Sequence, residues 1–213
     1  TVYVRGALQH QYGVDLRSIT WVQAGVNQPG RREKVELRLP DGITYMQVSD
    51  RSLNEMLLDG EIDAIISARL PEAASPSDGR VVRLLADSRA EERRYAADTG
   101  VFPIMHAVVI RREIVDDYPW VPTNLYKAFS QARDNSVARL MDTAVARVPV
   151  PWFRELALEA WSYVGGEPWP YGVDNNATTL DTFLEYAYEQ GVCRRRLSPT
   201  ELFAPQIDDG YKA

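Results

Sequence analysis

Apolar and polar positions alternate most regularly between Ser52 and Arg69, where the pattern divides into a helix and an apolar run. Leu53, Met56 and Leu57 recur at helical spacing, Ser52 and Glu55 have the spacing of a capping box, and Gly60 stands where a left-handed residue ends a helix. Ile62-Asp-Ala-Ile-Ile66 is too apolar for a strand with one wet face, and predicts a strand of a parallel sheet covered on both sides. Upstream, Val4, Leu8 and Tyr12 fall on one face of a helix that Gly13 stops. Ile19 to Val22 and Ile43 to Val48 read as strands, the second with Ile43, Tyr45 and Gln47 alternating against Thr44, Met46 and Val48. Helix, strand, turn region, strand, helix, strand is the order of a parallel sheet with crossover helices, an α/β arrangement.

After Arg69 the pattern breaks. Pro71 to Gly79 is rich in turn formers and reads as a linker or mobile loop. Val81 to Leu85 predicts a short strand, Ser88 to Thr99 a charged helix, and Val101 to Ile110 a strand-like apolar run with His106 as its one titratable group. The remainder predicts helices. Tyr118-Pro119 and Val121-Pro122 lead into one carrying Leu125, Ala128, Phe129 and Ala132, and Trp152 to Trp161 forms another. A third, opened by Thr178 and Asp181 and closed by Gly191, carries Leu180, Phe183, Leu184 and Tyr188; a last short turn opens at Ser198-Pro-Thr-Glu201. Between them, Gly165 to Gly172 is a rigid aromatic loop set by its glycines and prolines.

Composition narrows the class. The 213 residues are 45% hydrophobic and 25% charged, enough for one large domain or two small ones with their own cores. A net charge of -6 argues against a general nucleic-acid binder; Arg194-Arg195-Arg196 reads as a solvated helix end. The single cysteine, Cys193, excludes an internal disulfide and a cysteine-based zinc site. No apolar run approaches the length of a membrane span.

The sequence carries no Gly-rich phosphate loop, no nucleophile elbow and no pair of histidines on one helix face. Its only histidines are His10 and His106, so a metal site would need distant carboxylates, and none is expected. What remains is arginine, histidine and aromatic side chains near predicted strand ends and loops. Such a set suits a planar anion: arginine matches a carboxylate with two donors, aromatic faces hold a ring, and histidine moves a proton near neutral pH. Arg69 follows a predicted strand end, where ligands collect in open α/β sheets, and Arg31 and Arg32 sit in a loop after another strand. Each candidate also has a plainer reading: Arg69 as a surface ion pair, His106 as a satisfied core histidine, Trp169 and Tyr171 as loop anchors, His10 as a helix-surface residue.

Val4-Arg-Gly-Ala-Leu8 with Tyr12-Gly-Val14, Gln28-Pro-Gly-Arg-Arg-Glu-Lys34, Gly60-Glu-Ile-Asp-Ala64, Gly100-Val-Phe-Pro-Ile-Met-His106, Trp169-Pro-Tyr-Gly172, Tyr188-Glu-Gln-Gly191 and Glu201-Leu-Phe203 together resemble the 4,5-dihydroxyphthalate decarboxylase family, of type 2 periplasmic-binding-protein-like fold. The resemblance runs along nearly the whole chain in order. It implies two α/β lobes with the ligand in the cleft between them: residues 1–85 as the second, inserted lobe, incomplete at its start, and 86–213 as the mostly helical C-terminal part of the first lobe, with an N-terminal portion missing. It also implies decarboxylation of a hydroxylated aromatic dicarboxylic acid without a cofactor. Arg69 and His106 would be the catalytic pair, the arginine, helped by Arg31 or Arg32, holding a carboxylate and the histidine protonating the ring; Trp169 and Tyr171 would hold the ring. The implied partner is a small aromatic carboxylic acid, in the cytoplasm, with a homo-oligomer left open and no nucleic acid. The alternative is a periplasmic solute-binding protein that passes such an acid to a transporter, which the same arginine and aromatic groups would serve.

Overall fold

A computed structural model describes residues 1–32, 37–74, 79–145, 147–163, 165–166 and 169–207. Glu33 and Lys34 of the arginine loop, Ser75 to Asp78 of the turn-rich stretch, and Glu167 and Pro168 of the aromatic loop lie outside the described residues. The chain forms two compact units, Thr1–Ser88 with Glu185–Arg196 and Arg89–Leu184 with Leu197–Ala213. Helices and a small parallel sheet make it an α/β protein, and no helix among the described residues is long and apolar enough to cross a membrane.

The first unit opens with α1 (Val2–Tyr12), which Gly13 ends in the left-handed region at φ 66°. Its buried residue is Gly6, whereas Val4 and Tyr12 of the predicted apolar face are exposed. The reason is contact with Tyr186, whose ring occupies the space that a Cβ on Gly6 would fill. Around this contact His10 stacks on Tyr186 at 5.0 Å and meets Glu189 at 2.7 Å, and the Gln190 amide donates to the Val2 carbonyl at 3.0 Å.

A short 3-10 turn, Leu16–Ser18, leads into β1 (Thr20–Gly25), which pairs in parallel with β2 (Thr44–Ser52). The register runs from Thr20 opposite Thr44 to Gln23 opposite Gln47, then shifts so that Gly25 faces Ser52. A Cβ at Gly25 would overlap the Gln28 carbonyl, so glycine is required where the chain turns back. Ser52 ends β2 and caps α2 (Leu53–Leu58): its hydroxyl accepts from the Glu55 N–H, and the Glu55 carboxylate accepts from the Ser52 N–H. Met56 is the buried residue of that helix, and Gly60 follows at φ 74°, as the sequence predicts.

The predicted strand Ile62–Ile66 does not form. The N–H groups of Glu61 and Ile62 both turn back to the Met56 carbonyl, which takes the start of the run out of any ladder, and Asp63 and Ala64 are exposed. Val81–Leu85 and Val101–Ile110 are likewise outside any strand, with Val82 and Leu84 each 78% exposed. Branched apolar residues give a segment the propensity for a strand, but a strand also needs a neighbour for its backbone groups. Among the described residues, β1 and β2 are the one such pair.

The second unit is helical: α3 (Ser88–Thr99), α4 (Arg112–Asp117), α5 (Val121–Met141), α6 (Phe153–Ser162), most of α7 (Ala177–Glu189) and α8 (Pro199–Leu202). Val101, Val173, Leu180 and Leu184 are its buried apolar residues. A 3-10 turn at Asp174–Asn176 runs straight into α7, so Thr178 lies inside the helix rather than at its cap, and Tyr188 of the predicted apolar face is exposed. The last short turn expected at Ser198–Glu201 forms as α8, and Ser198 and Glu201 make a capping box there.

Glu159 joins α3 to α6. Its carboxylate accepts from Arg89 at 2.6 Å, from Arg93 and from the Tyr163 hydroxyl at 3.0 Å, and the Arg93 guanidinium lies 4.4 Å from the Tyr163 ring centre. The Tyr163 bond first, then the Arg89 bond, hold this carboxyl below its ordinary value of 4.5.

Two tests follow from these contacts. Alanine is favoured over glycine in a helix by about 1 kcal/mol, while overlap in a packed site costs about 1 to 3 kcal/mol. Gly6→Ala should therefore destabilise the protein in urea denaturation, and the same change made in a Tyr186→Ala background should instead stabilise it. For Glu159, a depressed folded-state pKa means that its stabilisation is complete above the unfolded value and is lost as pH falls through the lower folded one. Glu159→Gln should flatten the fall in stability between neutral pH and the acid side of 4.5, measured by urea midpoints across that range.

Candidate functional site

The sequence-predicted residues fall into two groups, one in each unit. In the first unit, parallel pairing brings the carboxyl ends of β1 and β2 side by side, with Gly25 opposite Ser52. Two asparagines just beyond this edge stitch a third segment to it. The Asn27 side-chain amide donates to the Leu70 carbonyl at 3.2 Å, and its oxygen accepts from the Glu72 N–H at 3.0 Å. The Asn54 N–H donates to the Val26 carbonyl at 2.9 Å, and its side-chain oxygen accepts from the Ala73 N–H at 2.8 Å. Ala73 is buried beneath them.

Arg69 immediately precedes this stitched segment. Its N–H donates to the Ser67 hydroxyl at 3.0 Å, and its side chain is exposed. Arg31 and Arg32 are also exposed, in the loop that leaves β1, where the Arg31 carbonyl accepts from the Gln47 side chain at 3.4 Å. All three arginines therefore sit on segments anchored to one strand edge. The strand expected to deliver Arg69 is replaced by the asparagine bonds.

In the second unit, His106 lies in a segment that is neither helix nor strand and is exposed, which overturns its plainer reading as a core histidine. The segment is fixed at its start, where Val101 is 1% exposed and the Phe102 N–H donates to the Thr179 hydroxyl at 3.2 Å. From Met105 to Val109 every residue is exposed.

The aromatic loop is held at successive carbonyls. Arg133 of α5 donates to the Trp169 carbonyl at 3.1 Å, Asn176 to those of Pro170 at 2.7 Å and Gly172 at 2.8 Å, and Asn175 to that of Tyr171 at 2.8 Å. The Arg133 guanidinium also lies 5.1 Å from the Tyr171 ring centre, and Tyr126 packs at 6.4 Å from that ring. Tyr171 is half-buried by these neighbours, whereas Trp169 is 68% exposed and takes the left-handed backbone at φ 49°, a region costly for a bulky side chain.

The sequence reading missed Asn27, Asn54, Arg133, Asn175 and Asn176. The asparagines had a signal, since this residue type next to a turn captures nearby backbone groups. Arg133 had none: it belongs to a helix 36 positions before the carbonyl it binds.

No family model matches the sequence. The chain is 34% identical over 212 residues, 99% of its length, to a 4,5-dihydroxyphthalate decarboxylase of Comamonas testosteroni, and it covers 64% of that protein. It is also 36% identical over 87 residues, 40% of its length, to a 4,5-dihydroxyphthalate decarboxylase of Pseudomonas putida, of which it covers 34%. The chain thus spans less than two thirds of the length of either relative.

Asn27 carries the two bonds on the segment after Arg69. A hydrogen bond contributes about 0.5 to 1.5 kcal/mol net, so removing both should open that segment about fivefold to a hundredfold more often. In Asn27→Ala, amide hydrogen exchange at Glu72 should accelerate by that factor, while exchange within β1 and β2 stays as in the parent.

Proposed function

We propose that this protein acts as the 4,5-dihydroxyphthalate decarboxylases it resembles do, removing a carboxyl group, as carbon dioxide, from a hydroxylated aromatic dicarboxylic acid. The observation that carries this reading is the identity of 34% sustained over 212 residues with a protein of that activity. In this reading the fold is of the two-lobed, type 2 periplasmic-binding-protein-like kind. The enzyme is a carbon-carbon lyase that works in the cytoplasm.

The mechanism follows from the residue types. Arg69, with Arg31 or Arg32, holds a carboxylate through charge-assisted bonds from exposed guanidinium groups on anchored segments. Trp169 and Tyr171 contact the ring. His106, as imidazolium, gives its proton to the ring carbon that bears the leaving carboxylate, and that carbon becomes tetrahedral. A ring hydroxyl para to it donates electron density to stabilise the cationic ring. The bond to the carboxylate then breaks, its electron pair returns to the ring to restore aromaticity, and carbon dioxide departs. The neutral imidazole takes up a proton from water. General acid catalysis of this kind contributes about 10² to 10⁴-fold, and positioning and electrostatics supply the rest.

The experiment is to incubate the protein with 4,5-dihydroxyphthalate and follow carbon dioxide and the monocarboxylate. The parent should release both, and His106→Asn, which keeps a hydrogen-bonding side chain but cannot titrate, should bind the acid within a few-fold of the parent while turnover falls by about 10² or more. Unchanged turnover would remove His106 as the acid, and absence of product from the parent would overturn the reaction itself.

A further inference from the structure

The aromatic loop contains two rings that the structure treats differently. Tyr171 is half-buried between the Arg133 guanidinium and Tyr126, so most of its surface is already in use. Trp169 is 68% exposed on a left-handed backbone. A large apolar ring on a costly backbone conformation has to be held there, and hydrogen bonds to the loop's own carbonyls hold it. Arg133, Asn175 and Asn176 bind the carbonyls of Trp169, Pro170, Tyr171 and Gly172, which are four consecutive residues. The Arg133 side chain is 18% exposed and paired with Asp134 at 2.8 Å, which suits a fixed support better than a group waiting for an anion. Fixing an exposed indole in advance removes the ordering cost that a ring-binding surface would otherwise meet at each encounter.

We propose that the loop divides its work: Trp169 is the ring-contacting and specificity-determining residue, Tyr171 is its buried anchor, and Arg133 is a positioning residue that acts through Trp169. This rests on the reading of the ligand as a hydroxylated aromatic acid, and it narrows that reading from two contact residues to one. Arg133 touches no substrate in this arrangement. Its guanidinium locks the loop from behind by one bond to the Trp169 carbonyl and by lying over the Tyr171 ring.

The test combines a ligand-free measurement with a binding cycle. In the full chain labelled with 5-fluorotryptophan, the fluorine resonance of Trp169, assigned by its loss in Trp169→Phe, should be a single sharp line. It should broaden or split in Arg133→Met and recover in part in Arg133→Lys. Binding of 4,5-dihydroxyphthalate, measured by calorimetry, should weaken about tenfold in Trp169→Ala and in Arg133→Met, with the double variant no weaker than Trp169→Ala alone. Additive losses in the double variant, a Trp169→Ala protein that binds as tightly as the parent, or an indole resonance indifferent to Arg133 would each overturn the proposal. If the parent binds no 4,5-dihydroxyphthalate, the proposed reaction fails and with it the ring-contact assignment; the fluorine spectra then judge the support by Arg133 alone.

Discussion

The first unit depends on the absence of one methyl group. Tyr186 is 4% exposed, and its ring can lie against α1 only because residue 6 carries no side chain. An aromatic ring buried this way removes about 150 to 250 Å² from water, which makes it a principal hydrophobic contribution for so small a unit. Further contacts join the same two segments: His10 against Tyr186 and Glu189, and Gln190 on the Val2 carbonyl, a bond that spans 188 positions of sequence. From α1 the arrangement passes to the sheet, where Arg5 lies 4.7 Å over the Trp21 ring and the Trp21 indole N–H donates to the Leu16 carbonyl. The sheet edge that carries the arginine loops is thereby fixed through a chain of contacts that starts at Gly6.

Both candidate regions are built by the same device, a pair of asparagines that capture backbone groups of an irregular segment. Asn27 and Asn54 do this for the residues after Arg69, and Asn175 and Asn176 for those after Trp169. Irregular backbone has no ladder to satisfy its polar groups, so side-chain amides, which offer both donors and an acceptor, take that part. The result is loop geometry with the definition of a secondary element. That definition is what placing a charged or aromatic side chain for chemistry requires.

Local pattern was legible where the physics is local. The capping box at Ser52 and Glu55, the left-handed Gly13 and Gly60, and the parallel strand before and after the arginine loop all follow from residues close in sequence. The failures share one cause. Ile62–Ile66, Val81–Leu85 and Val101–Ile110 have strand composition, and composition does not say whether a neighbouring edge exists; Val4 and Tyr12 looked like a packing face because the contact that decides the matter lies at Tyr186. For the site, the residue types were readable and their supports were not, since Arg133 reaches the aromatic loop from a separate helix.

The apolar run Ala107-Val-Val-Ile110, exposed through Val109 at 89%, leads directly into Arg111 and Arg112. A short segment of high β propensity without charge is a template for stacking with a second copy, and flanking charges oppose that stacking by repulsion between like termini. Arg111, which pairs with Glu113 at 3.0 Å, and Arg112 stand where such flanking charges act, and their effect is electrostatic and therefore screenable. At an ionic strength of 0.1 M the screening length is about 10 Å, falling to about 3 Å at 1 M, so concentrated salt weakens this guard while leaving the apolar run as sticky as before.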